Sequence, residues 1–269
     1  MTTVTNIIAQ NRKAWNEVAP RHAELALEEV KRSLAEVRGA YVRPELREAL
    51  KQIDLTNKTV VQFNCNNARE LISLVQLGAA RGVGFDFSEE FVLQARELVA
   101  LSGLEIEIVE TDIYLIGSDY EEIADVLVAT SGALCWMGDL QQYFRIVRNV
   151  LKPDGILTIH ETHPFLEMFK LDRECKQDEP LVPHYSYFSD EPVASDKGLD
   201  YYSNQVYGSE TVYWYHHSFS SILQAVIDAG LKIEYIRELE TDLDSGYSRV
   251  GELNIKPPMS YILMARRTD

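Results

Sequence analysis

Four short polar clusters carry residue types able to bind a ligand or move a proton. They are Asn64-Cys65-Asn66-Asn67, Asp86-Phe87-Ser88, Asp112 within TDIYLI, and His160-Glu161-Thr162-His163. Asparagine tolerates left-handed backbone better than other non-glycine residues, so the first cluster can turn tightly, and amides that open a helix suit a carboxylate. It serves equally as a plain strand-to-helix turn. Asp86 lies 22 residues beyond Asn64 at the end of an apolar run. A carboxylate there suits ribose hydroxyls, or it caps the next turn together with Ser88. Asp112 suits an adenine amino group, or a turn. Arg69 is a further carboxylate ligand, or a solvated helix residue. Candidate bases are His160, Glu161 and His163. Strand alternation sets His160 and Glu161 on opposite faces and makes Glu161 and His163 the better pair. Each histidine also reads as a satisfied core residue. His216 and His217 fit either the same pocket or an ordinary surface turn.

The elements that must position these residues alternate. TVVQFN (59–64), GVGFD (82–86), EIEIVE (105–110), ADVLVAT (124–130) and GILTIHE (155–161) read as strands. Helical spacing is expected over 68–79, 88–102 and 140–151, the last stopped by the turn KPDG (152–155). Strands separated by single helices predict an α/β fold, a Rossmann-like, doubly wound, mostly parallel sheet. Ligands in such sheets sit beyond the carboxyl ends of the strands. That rule gathers Asn64–Asn67, Asp86–Ser88, Asp112, Thr130–Gly132 and Glu161–His163 on one rim.

Four units are expected. Residues 1–55 form an N-terminal helical cap with breaks at Pro20, Gly39 and Pro44, and residues 56–161 form the ligand-binding core. Residues 162–217 form an inserted lid. Residues 218–269 complete the sheet to seven strands, with a helix near 218–229 and strands at 231–239 and 259–267. The lid holds seven of fourteen tyrosines, four of six histidines and four of nine prolines. Its tyrosines and Trp214 among acids suit a cationic small molecule, or simply pack the lid. Trp15 is placed to close over a ligand, or in the core.

Composition excludes several classes. With 26 Lys+Arg against 42 Asp+Glu, the 269-residue chain carries −16 and repels phosphate backbones, so a nucleic-acid partner is not expected. No apolar run approaches a membrane span, no secretory leader is visible, and a cytoplasmic location is expected. Cys65, Cys135 and Cys175 are too widely spaced for a metal pair, and no metal is expected. The loop at 64–69 lacks the glycines of G-x-G-x-x-G, which counts against a nicotinamide-dependent reductase, and no phosphate-loop motif occurs.

Over roughly 58–161 the sequence resembles the class I S-adenosylmethionine-dependent methyltransferases. VVQFNCNNARE stands where that family's first motif (like VLDLGCGTGR) holds the methionine moiety, with Asn64, Asn66 and Ala68 in place of glycines and Gln62 in place of the usual acid. A Cys-Asn-Asn loop is similar to that of a small-molecule branch. GVGFDFS resembles the second motif, which implies that Asp86 holds both ribose hydroxyls and Phe87 lies against adenine. TDIYLI resembles the third, with Asp112 and the Ile113 amide at the adenine edge. ATSGALCWMGDLQQYFRIVRNVLKPDGILTIHETHP looks like the run from fourth strand to fifth. The resemblance implies S-adenosyl-L-methionine as cofactor, touched by Phe63, Asn64, Asn66, Arg69, Asp86, Phe87, Asp112, Ile113 and Ser131. It implies in-line methyl transfer to a small-molecule acceptor, with Glu161, His163 and His160 as the catalytic candidates. A non-catalytic protein that holds the cofactor or its demethylated product is the alternative. Neither acceptor atom nor oligomeric state follows.

Overall fold

The apolar runs pair into one seven-stranded sheet in a computed structural model that describes residues 4–176, 178–243 and 246–268. The strands are β1 (Thr59–Phe63), β2 (Arg81–Asp86), β3 (Ile106–Glu110), β4 (Ala124–Thr130), β5 (Leu151–Thr162), β8 (Leu231–Leu239) and β9 (Ser260–Arg267). Their order is β3-β2-β1-β4-β5-β9-β8; the first five are parallel and β9 runs antiparallel between β5 and β8. The chain winds outward from β1 to β3, then crosses back to β4. That reversal leaves a crevice at the carboxyl ends of β1 and β4, beside Asn64 and Thr130.

Helices α4 (Arg69–Gln76), α5 (Glu89–Ser102), α6 (Leu140–Val150) and α7 (Phe219–Asp228) cover the faces. One face buries Phe63, Phe85, Tyr143 and Phe144, the other Leu71, Val75, Val92 and Ile262. Gly84 permits the close approach of α4: a Cβ there would stand 2.8 Å from Cys65 Sγ and 2.9 Å from Leu71 Cδ2. Ser88 caps α5 by accepting from the Phe91 amide at 3.3 Å.

Two local expectations change. Pro20 breaks nothing: α1 (Val4–His22) runs through it and continues by a π-turn, Ala23–Leu27, into α2 (Glu28–Glu36). Proline removes one amide and crowds the carbonyl four residues back, and the helix continues despite both. Gly39, at φ +71, and Pro44, first residue of α3 (Pro44–Leu50), do punctuate the cap. Lys152–Gly155 lie within β5 rather than before it. Asp154 at φ 63 and a register shift against β4 between Ala124 and Val126 mark the bend there.

Residues 163–217 are largely irregular, with one short antiparallel pair, β6 (Val193–Ser195) and β7 (Val212–Trp214). Side chains of α1 fasten this segment down. Asn11 Oδ1 accepts from the Tyr213 amide and its Nδ2 donates to the Tyr213 carbonyl, both at 2.7 Å. Glu17 accepts from the Glu210 amide at 2.7 Å, and Arg21 Nε pairs with Asp200 at 2.5 Å. Burial pushes Asp200 upward, but hydrogen bonds from Ser203 and the Arg21 guanidinium hold it at about 2.

Candidate active site

The loop after β1 is built from left-handed residues. Asn64 and Asn66 sit at φ 51 and Ala68 at φ 61, so each position where the resemblance leaves a glycine missing still has glycine-like backbone. Asparagine accepts this readily; alanine does so at a cost of about 1–2 kcal/mol. Ala68→Gly is therefore expected to raise stability by about 1 kcal/mol, a shift of about 2–4 °C in the melting midpoint of the ligand-free chain. A lower midpoint would mean that packing of the buried Ala68 methyl outweighs the strain.

Asp86 closes the loop. Its carboxylate accepts from the amides of Asn66 (2.7 Å) and Ser88 (2.9 Å). Burial pushes its carboxyl up to about 6, while the amides of Ser88, Asn66 and Phe87 restrain it. Asp86 and Phe87 line a cavity of about 560 Å³ together with Asn64, Asn66, Arg69, Ser131 and His160. The Arg69 guanidinium lies 5.3 Å from the Tyr41 ring and 5.6 Å from that of Tyr202, whose hydroxyl it also meets. Burial lowers His160 to about 4, and its Nε2 has no partner among the described residues. Gln62 Oε1 and Asn64 Oδ1 are also buried and unpartnered.

A narrow cleft of about 20 Å³ shares Asn64, Phe87 and Trp136 with this cavity and adds Asp112 and Ile113. Asp112 accepts from the Tyr114 amide at 3.0 Å, and burial raises its carboxyl. Phe63 is not brought to the site. Its ring is fully buried, 5.6 Å from that of Phe85 and 5.8 Å from that of Tyr143.

A second cavity, of about 390 Å³, adjoins the first through Trp15, Ser131, Gly132, Trp136 and Tyr201. His160 and Glu161 fall on opposite sides of β5, the histidine in the first cavity and the glutamate in the second. Glu161 is fully engaged by backbone: it accepts from Gly132 (2.7 Å), Ala133 (2.7 Å) and Leu134 (3.1 Å). Burial pushes it up to about 7 against the pull of those amides. His163 lines neither cavity. The chain turns after β5, and His163 Nδ1 accepts from the Phe165 amide while Nε2 lies 3.0 Å from Glu238.

Several lining residues escape a reading of strand ends. Glu70, Trp136, Tyr201 and Glu167 come from a helix, a 3-10 turn and the irregular segment after β5. Burial and the neighbouring Glu161 push the Glu167 carboxyl well up, while the His217 amide donates to it. An acid inside the apolar run PFLEMF was its only sequence signal. The first cavity thus offers unmet acceptors and a carboxylate, which fits a ligand that brings a cation and hydroxyl donors, with a planar group against Phe87.

Comparisons with known proteins agree with that fit. A methyltransferase-domain family model matches residues 55–214. The ribosomal protein L11 methyltransferase of Vibrio cholerae serotype O1 (strain M66-2) is 34% identical over 113 residues, 42% of this chain and 36% of that protein. The chain therefore spans about a third of that relative's length. The solved structure of an S-adenosylmethionine-dependent methyltransferase from Mesorhizobium loti matches with a TM-score of 0.57 at 19% identity, over 83% of this chain and 97% of that one. Another, from Clostridium acetobutylicum ATCC 824, matches with a TM-score of 0.60 at 14% identity, over 95% and 99%. These relatives correct the expected partner. A small-molecule acceptor of cationic character does not agree with curated relatives named for a ribosomal protein.

Proposed function

The chain belongs to the class I S-adenosylmethionine-dependent methyltransferases, and on that premise we propose that it moves a methyl group across the junction of its two cavities. The adenosyl cofactor would occupy the larger cavity and its narrow cleft, and the acceptor would occupy the smaller. The observation that carries this reading is the shared wall: Trp15, Ser131, Gly132, Trp136 and Tyr201 line both spaces, so a group leaving one meets a nucleophile in the other.

When bound, S-adenosylmethionine supplies a methyl group already activated by its sulfonium. The chain then has to align the two reactants and exclude water. Asp86 and Asp112 would receive the ribose hydroxyls and the adenine amino group, with Phe87 against the base. Asn64, Asn66 and Arg69 would hold the methionine end. Ser131 and Gly132 would position the methyl group, held in place by Glu161 through the loop amides. Because Glu161 is occupied by backbone and His163 lies outside both cavities, we assign Glu167, whose carboxyl burial keeps protonated, to hydrogen-bond the acceptor in the second cavity. His160 faces the cofactor instead.

A thermal melt tests the proposal. S-adenosylhomocysteine at 100 times its dissociation constant should add about 2.7 kcal/mol, a rise of about 5–10 °C, and NADH should add none. No shift with either S-adenosylmethionine or S-adenosylhomocysteine would remove the cofactor assignment.

A further inference from the structure

The first turn of α4 holds a carboxylate that the resemblance gives no part. Gln62, 1% exposed on β1, donates through Nε2 to Glu70 Oε2 at 3.0 Å and to Thr130 Oγ1 at 2.9 Å. The Thr130 hydroxyl donates to the same Glu70 oxygen. Both donations fix the Glu70 side chain against the sheet, while Gln62 Oε1 is left buried with no partner among the described residues. Asn64 Oδ1, two residues on, is buried and unpartnered as well. All four residues line the larger cavity. The nearby guanidinium of Arg69 does not meet this demand, being committed to the rings and hydroxyl on its own side.

Buried acceptors without donors are expensive, at about 1–3 kcal/mol each. The cluster contains two such oxygens and one carboxylate, and the Gln62 amide and the Thr130 hydroxyl already spend their donors on one another and on Glu70. A group with one positive charge and three N–H bonds, a primary ammonium, supplies what is missing: one N–H for each amide oxygen and one, with the charge, for Glu70. We propose that Glu70 holds the α-ammonium of the cofactor's methionine end, with Gln62 and Asn64 as neutral partners. The acid that Gln62 lacks is thus supplied by the neighbouring helix. The inference rests on the S-adenosylmethionine reading of the cavity.

The test compares two probes by titration calorimetry. S-adenosylhomocysteine carries the ammonium; 5′-methylthioadenosine has the same nucleoside and a thioether but no amino-acid portion. Glu70→Gln should weaken S-adenosylhomocysteine about tenfold or more and leave 5′-methylthioadenosine within twofold of the parent. The double variant Gln62→Glu/Glu70→Gln returns the charge to the strand and should recover most of the lost affinity. If E70Q binds S-adenosylhomocysteine as tightly as the parent, or weakens both probes alike, the assignment to Glu70 falls and the cofactor reading stands. If the parent binds neither probe, the cofactor reading itself falls.

Discussion

Asp86→Ala should weaken S-adenosylhomocysteine binding by about a hundredfold or more. Two ribose hydroxyls would lose a charged acceptor, and hydrogen bonds to charged groups are worth about 1.5–3 kcal/mol each. The structure adds a second contribution to the loss, because the same carboxylate ties the Asn66 amide to the Ser88 amide and so sets the curvature of the loop. Calorimetry reads the affinity, and a melt of the ligand-free variant reads the loop. With the folded carboxyl raised to about 6, binding to the parent protein should also weaken as pH falls through that value, since the protonated acid loses acceptor strength. An Asp86→Ala variant that binds within threefold of the parent would remove the ribose assignment.

Glu161→Ala should lower the melting midpoint by about 10 °C. Three loop amides lose their common acceptor inside the protein, and unsatisfied buried donors cost about 1–3 kcal/mol each, roughly 3–9 kcal/mol together, the lower part of which corresponds to about 10 °C. Both cavities should deform at once, since Ser131 and Gly132 belong to each. A midpoint within 2 °C of the parent would show that the loop holds itself. The same group gives a pH signature. Its folded pKa, about 7, lies above the ordinary glutamate value, so the folded state binds the proton more tightly than the unfolded one. Glu161 therefore costs nothing below the ordinary carboxylate range and progressively destabilises the fold as pH rises to about 7. Glu161→Gln should flatten that part of the stability profile.

Much of the framework was legible because the relevant physics is local. Strands β4 and β8 follow from uninterrupted β-forming runs, and Ser88 is a cap visible from its own side chain. The rim followed from one rule about parallel sheets. The site's finer wiring was not legible, because it depends on which oxygen meets which amide. Alternation along β5 correctly separates His160 from Glu161, yet it cannot tell that Glu161 turns toward three backbone donors from another loop. Parity also fails one step beyond Thr162, where the strand ends and His163 swings toward Glu238. Glu70 was hidden for a different reason. Its partners, Gln62 and Thr130, lie 8 and 60 positions from it and meet only when β1 and β4 become neighbours. Pro20 was misleading because the helix runs on through it, with one backbone bond lost, to His22.

The attachments between α1 and residues 200–213 join parts of the chain that lie far apart in sequence. Asn11 reaches Tyr213 across 202 positions, Glu17 reaches Glu210 across 193, and Arg21 reaches Asp200 across 179. Contacts of such separation carry the greatest loop-closure entropy, whereas the loop that Asp86 ties to Asn66 spans only 20 positions. The loop at the carboxyl end of β1 can therefore form from a short stretch of chain. The wall that Trp15 and Tyr201 give both cavities is completed only when these two distant parts of the polypeptide meet.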